Sequence, residues 1–230
     1  MDLAKQAAAR AAAQLVESGM CVGLGTGSTA AFFVDELIEL ARSEQLDIRC
    51  VATSQETREQ ALGGALQIVE LERAESLDIV IDGADEIDVH GQLIKGGGGA
   101  AVRELIVAKA AEKYVVIATP SKQVNTLGDF PLPIFVLPHA CKVTMSRIGE
   151  VCPGIVRVRP PPKSNIDEHG LIIVDAHFGA SINDPAATRA TLLEIPGVVD
   201  VGLFVDIADI AILGRDDGTT TTIQFDRRHR

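Results

Sequence analysis

Apolar and polar positions follow two different periods along this chain, and the switches between them mark its elements. Leu3 to Glu17 is alanine-rich with good helix formers throughout, and Ser18-Gly19 ends it. Met20 to Leu24 is a short apolar run that predicts a buried strand, and Gly25-Thr26-Gly27-Ser28-Thr29 turns sharply out of it. Ala30 to Arg42 places Phe33, Leu37 and Leu40 at helical spacing. Ile48 to Ala52 predicts a strand, Ser54 caps a helix reaching Leu62, and Leu66 to Leu71 predicts another strand after Gly63-Gly64. Leu77 to Ile81 is a strand that runs into Asp82-Gly83-Ala84-Asp85. The glycine loop Gly96 to Gly99 precedes a helix over Ala100 to Lys113 and a strand over Tyr114 to Ala118. Strands and helices alternating at this spacing predict the α/β class, with a doubly wound, mostly parallel sheet.

The rhythm changes after Pro131. A strand over Ile134 to Leu137 is followed by a helix (about Lys142 to Glu150), strands over Ile155 to Arg159 and Leu171 to Ala176, a helix over Pro185 to Ile195, and a strand over Val198 to Val205. That order, β-α-β-β-α-β, predicts a small ferredoxin-like α+β domain. The polar stretch Pro160 to Asn165 connects its middle strands. Ala208 to Leu213 and Thr219 to Phe225 then predict a hairpin across Asp216-Asp217-Gly218. The expected organisation is an α/β domain over 1–130 and 206–230, with the small domain inserted at 131–205.

Composition narrows the reading. The 230 residues are 47% hydrophobic and only 3% aromatic, with no tryptophan, so the core must be built from Ala, Val, Ile and Leu. A formal net charge of -11 counts against nucleic acid or an anionic membrane as partner. The basic run Arg227 to Arg230 reads as a solvated tail. Cys21, Cys50, Cys141 and Cys152 form no C-x-x-C pair and have no histidine at zinc-ligand spacing, which predicts reduced thiols in a cytoplasmic protein. Met1 to Gly19 lacks the apolar core of a signal peptide, and no apolar run is long enough to span a membrane.

Three segments carry candidate chemistry. Gly25 to Thr29 follows a strand and opens a helix, so its backbone N–H groups and the hydroxyls of Thr26, Ser28 and Thr29 suit an anion. A purely structural turn and a dinucleotide loop remain alternatives, although no lysine follows the second glycine as in a Walker loop. Asp82 and Asp85, with Glu86 and Asp88 close behind, stand at a strand end where ligands sit in open α/β sheets. Loop capping and a divalent metal are the competing readings there. Lys95-Gly96-Gly97-Gly98-Gly99 is a second cradle, with Lys95 placed to offset charge on a substrate oxygen. Glu104 follows early in the next helix, where a lone glutamate ordinarily pairs with the helix dipole.

These motifs, in this order and spacing, resemble the type A ribose-5-phosphate isomerases. So do Ser121-Lys122, Phe130-Pro131-Leu132-Pro133 and the stretch from Ile195-Pro196-Gly197-Val198 to Gly202-Leu203-Phe204. The resemblance covers nearly the whole chain. It implies interconversion of D-ribose 5-phosphate and D-ribulose 5-phosphate through an enediol or enediolate, in the non-oxidative pentose phosphate pathway. It implies Glu104 as the proton-shuttling base, with Asp82, Asp85 and Lys95 at the reacting end of the sugar. Substrate contacts are implied at Thr26, Gly27, Ser28, Thr29, Gly83, Ala84, Gly96, Gly97, Gly98 and Lys122, and at Lys5. No metal or organic cofactor is implied, and a homodimer or homotetramer is. Phe135 departs from the family pattern, which has an acidic residue there, and Asp167-Glu168-His169-Gly170 replaces its usual turn. A sugar-phosphate-binding regulator without catalysis is the rival reading. The acidic charge, and the short stretch ahead of Gly25, count against the DNA-reading module such a regulator needs. A coenzyme A transferase-like enzyme with a nucleophilic glutamate is a third.

Overall fold

The computed structural model describes residues 2–43, 46–161 and 163–226. The basic run at 227–230 and Pro162 lie outside them. In chain order the elements begin α1 (Asp2–Ala13), β1 (Cys21–Leu24), α2 (Ser28–Arg42), β2 (Arg49–Ala52), α3 (Gln55–Gly63) and β3 (Gln67–Ile68). Then come β4 (Ile79–Gly83), β5 (Glu86–Ile87), β6 (Leu93–Ile94), α4 (Ala101–Ala110), β7 (Lys113–Ala118) and β8 (Leu132–Val136). The rest are α5 (Cys141–Val151), β9 (Val156–Val158), β10 (Ile172–Ala176), α6 (Pro185–Leu193), β11 (Val198–Val201), β12 (Leu203–Phe204), β13 (Ile210–Gly214) and β14 (Thr220–Gln224). They form two compact units. One comprises Met1–Ala84, Arg103–Lys122 and Asp206–Arg230, the other Asp85–Val102 and Gln123–Val205. Residues 85–102 and 123–130, placed in the larger domain from sequence, thus group with the smaller one.

The first unit holds a seven-stranded sheet in the order β14-β13-β7-β4-β1-β2-β3. Its pairs are parallel apart from the β13–β14 hairpin. Side chains alternate across a strand, and the two faces are covered differently. Val22, Leu24, Ile79, Ile81, Val115, Ile117 and Ile212 share one core with Ala8, Ala9, Ala12 and Ala13 of α1 and Phe33, Val34 and Leu37 of α2. Alanines let α1 come down close to the sheet: a Cβ on Gly214 would strike the Ala4 carbonyl. The other face carries Gly23, whose added Cβ would meet Val80 and Val107 of α4. With α1 and α2 on one face and α4 on the other, the sheet is doubly wound, as the alternating pattern predicts.

The second unit holds a four-stranded antiparallel sheet in the order β11-β8-β10-β9. Its elements run β8-α5-β9-β10-α6-β11, the β-α-β-β-α-β order of the sequence reading. One face buries Ile134, Val136, Val174, Ala176 and Val201 with Ile148 of α5 and Leu192 of α6. Phe135 is fully buried on strand β8, so the residue that departs from the family pattern serves packing. A three-stranded sheet, β12-β6-β5, completes the unit. The predicted strand over Val198 to Val205 is therefore two strands in two sheets. Gly202 makes the break: its N–H donates to the Pro133 carbonyl, its carbonyl accepts from Lys95 N–H, and a Cβ would strike the Lys95 carbonyl.

Candidate active site

The first unit gathers its share of the predicted residues by strand direction. β7, β4 and β1 are parallel neighbours, so their carboxyl ends lie along one edge. Asp82 stands near the end of β4, the Gly25–Thr29 turn follows β1, and Lys122 ends the short 3-10 turn after β7. In the sheet order, β4 with Asp82 lies between β1, which the turn follows, and β7, which Lys122 follows. Thr26, Thr29 and Lys122 are partly buried, while Gly27 and Ser28 are exposed at the start of α2. Gly27 has φ 108, a left-handed conformation that glycine tolerates and that leads directly into the helix.

Asp82 is fully buried. Its Oδ1 accepts N–H bonds from Thr26 at 3.1 Å and Gly83 at 2.7 Å, and Tyr114 Oη lies 3.5 Å from its Oδ2. Gly25 must be glycine because any Cβ there would run into the Asp82 side chain and Cα. The turn is braced by hydroxyls from beyond β2. Thr53 Oγ1 lies 2.7 Å from Thr26 Oγ1 and donates to the Leu24 carbonyl, and Thr57 Oγ1 donates to the Gly25 carbonyl at 3.0 Å. Thr57 is in turn fixed by Ser54, which caps α3 as its position predicts.

Glu104 sits in the first turn of α4 and is only 3% exposed, unlike an ordinary dipole-pairing glutamate at a helix surface. Val107, one turn further along the same helix face, packs against the position of Gly23. α4 runs back from the carboxyl edge of the sheet to the start of β7. Glu104 is therefore about 5 Å nearer that edge than Val107, on the sheet face to which Asp82 points. Lys5 is on α1, beside the end of β13, which is parallel to β7 and so ends on the same edge of the sheet. Its ammonium is 3.8 Å from the exposed Asp2 carboxylate. Ala84 closes the unit's first segment, half-buried.

The second unit holds Asp85, Lys95 and Gly96 to Gly98. Lys95 is buried, with its Nζ 5.5 Å above the Phe204 ring. Asp85 Oδ2 accepts the Gly97 N–H at 2.7 Å, and a Cβ on Gly97 would strike that carboxylate. Gly98 is exposed at the tip of the loop. Glu86 and Asp88, neighbours of Asp85 in sequence, do structural work. Glu86 accepts N–H bonds from Gly128 and Phe130, while burial pushes its carboxyl above the usual range against those bonds. Asp88 ties the turn through the N–H groups of His90 and Gln92.

Sequence reasoning missed Tyr114, Thr53 and Thr57, and it missed Arg159 and Asp175. Tyr114 is the chain's single tyrosine, and its place in a strand of alternating period is the one signal that could have aimed it at Asp82. The cysteines show no thiolate character. Burial raises each thiol, Cys50 to about 12.

The family model described as ribose 5-phosphate isomerase A (phosphoriboisomerase A) matches residues 49–218. The chain is 46% identical to ribose-5-phosphate isomerase A of Parvibaculum lavamentivorans, over 95% of this chain and 96% of that one. It is 44% identical to that of Jannaschia sp., over 95% and 86%. Among solved structures, ribose 5-phosphate isomerase from Plasmodium falciparum superposes with a TM-score of 0.92 at 34% identity, covering 97% of this chain and 99% of that one. The isomerase from Methanocaldococcus jannaschii gives 0.88 at 36%, covering 97% and 98%. On the match to its family model and to these relatives over nearly its whole length, the chain belongs to the ribose 5-phosphate isomerase A family.

Proposed function

We propose that this chain interconverts D-ribose 5-phosphate and D-ribulose 5-phosphate, with Glu104 as the base. The observation that carries the proposal is the buried Glu104 carboxyl at the sheet's carboxyl edge, on the face of Asp82. In the open-chain aldose the C2–H proton is acidic because C1 is a carbonyl. Glu104 takes that proton, the C2–H electron pair forms the C1–C2 double bond, and the former carbonyl oxygen becomes the oxyanion. Lys95 offsets that charge. Asp82 moves the proton between the two sugar oxygens and assists ring opening, with Asp85 at the same end. Glu104 then returns its proton to C1 as C2 becomes the carbonyl, so no atom is gained or lost and no cofactor is called for.

The phosphate is proposed to sit on the N–H groups and hydroxyls of Thr26 to Thr29 at the start of α2, with Lys122 and Lys5 contributing charge. The sugar backbone is proposed to contact Gly83, Ala84 and Gly96 to Gly98. Binding the phosphate away from the reacting carbons uses remote binding energy to align them. One related structure, 34% identical, is of a D-ribose-5-phosphate isomerase in complex with phospho-erythronic acid. The carboxylate of that compound holds two oxygens in one plane with its carbon, much as the two adjacent planar carbons of an enediolate hold one oxygen each, so it is expected to inhibit this chain competitively. We further propose a cytoplasmic homodimer or homotetramer without a nucleic-acid or membrane partner. None of the described helices is long and apolar enough to cross a membrane.

A coupled assay for ketose formation, run with and without a chelator, tests the reading. Turnover of ribose 5-phosphate that the chelator leaves unchanged is expected. Binding of the sugar phosphate with no ketose formed would favour the regulator reading instead.

A further inference from the structure

The lysine–glycine loop raises a question of rigidity. A run of glycines loses more backbone freedom on ordering than any other sequence, yet Lys95 has to hold its ammonium in one place to serve an oxyanion. We infer that Arg159, with its partner Asp175, is the positioning group that holds this loop in its working conformation. The inference rests on the isomerase reading for what the loop does, and on the geometry of the second unit for how it is held.

Arg159 follows β9, and its N–H donates to the Ile173 carbonyl. Its side chain is 3% exposed. The guanidinium grips Asp175 of β10 through Nε at 3.1 Å and Nη2 at 2.7 Å from Oδ1. The remaining arm, Nη1, reaches the Gly96 carbonyl at 3.0 Å and the Gly97 carbonyl at 3.4 Å. The loop is thus fixed on three sides. Gly202 accepts the Lys95 N–H, Asp85 accepts the Gly97 N–H, and Arg159 donates to the Gly96 and Gly97 carbonyls. Glycines at these positions also let the loop lie flat on the small sheet: a Cβ on Gly96 would press on Pro133, and one on Gly99 on Ile173.

The arrangement needs a fork. A guanidinium can bind a carboxylate with two donors and still present a third to the carbonyls, in one plane. A lysine at the same position keeps the charge and the pairing with Asp175 but has no rigid third arm. Arg159 is not among the proposed substrate contacts, so its loss should misalign the reacting groups and spare the affinity set by the phosphate. The signature is a fall in kcat at constant KM, which a purely structural ion pair would not give. Loss of a structural pair lowers the folded fraction and leaves kcat per folded molecule intact.

The test is steady-state kinetics on the full chain for Arg159→Lys and Asp175→Asn, with the folded fraction measured on the same samples. Arg159→Lys is expected to lower kcat per folded molecule by about 10- to 100-fold, the range for a misplaced reacting group, with KM within about twofold of the parent. Asp175→Asn keeps the side chain's shape and is expected to lower kcat less. If Arg159→Lys fails to fold, Asp175→Asn decides. Parental kcat in the folded variants, or a raised KM with kcat unchanged, overturns the inference. A parent protein that forms no ketose would instead overturn the isomerase reading.

Discussion

The two glycine loops are held in place by different means. Gly25 to Thr29 is braced by the hydroxyls of Thr53 and Thr57, by the backbone of its own sheet and by a single carboxylate, Asp82, with no ion pair among these bonds, and its outer part is exposed. Lys95 to Gly99 is braced by ions, the buried Arg159–Asp175 pair and the Asp85 carboxylate. The contrast follows from what precedes each loop. The first leaves a strand with parallel neighbours on both sides and enters a helix of 15 residues, so regular structure directs it. The second leaves a two-residue strand and has little regular structure behind it. Where the ladder is short, buried charge and directed hydrogen bonds take over its role. Buried ion pairs are costly to break from one side, so the second loop should be the less tolerant of substitution.

The largest effect is expected at the residue the first unit presents for chemistry. Glu104→Gln should slow turnover by ~10²–10⁴, the range for a lost general base, while leaving phosphate binding intact. Rapid kinetics and an inhibitor titration on the same sample would check both halves. Next comes the ionic brace. Arg159→Met leaves the Asp175 carboxylate buried and unpaired, and a loss of about 3–5 kcal/mol in urea unfolding is expected. A loss below about 1 kcal/mol would show the second loop to be as tolerant as the first.

Gly25→Ala tests the first loop where it is tightest. The added Cβ meets Asp82 itself, so a cost of roughly 1–3 kcal/mol, typical of overpacking, should accompany a loss of activity. Thr57→Val removes one neutral brace and should cost only about 0.5–1.5 kcal/mol. The smallest effect concerns pH. Burial, partly opposed by the Gly128 and Phe130 N–H bonds, raises the Glu86 carboxyl. The folded state therefore binds this proton more tightly than the unfolded chain. Its contribution is complete below the unfolded value and is lost as pH rises through the folded one. Relative to the parent, Glu86→Gln should gain stability between mildly acidic and neutral pH, as urea midpoints across that range would report.

Much of this was legible in the sequence because period and punctuation carry it. The alternation from Met20 to Ala118 specified a parallel sheet, Ser54 announced its cap, and Asp216-Asp217-Gly218 announced the hairpin. Strands β5 and β6, at two residues each, are too short to show any period. The break at Gly202 depends on a close approach by Lys95 that only the fold creates. Arg159, just past β9, and Asp175, on the neighbouring β10, are 16 positions apart, and nothing local marks them as partners of Gly96. Glu104 was found by family pattern and by its place after a glycine loop. Its burial, which separates it from an ordinary helix-surface glutamate, was visible only in three dimensions.

Isotope exchange reads directly whether one carboxyl carries hydrogen between adjacent carbons. Ribose 5-phosphate incubated with the parent protein in D₂O should exchange its C2 hydrogen and yield ribulose 5-phosphate with deuterium at C1. Under the same conditions Glu104→Gln should leave the C2 hydrogen in place while still binding phospho-erythronic acid. A Glu104→Gln protein that exchanges C2 hydrogen at the parent rate would contradict the assignment of the base.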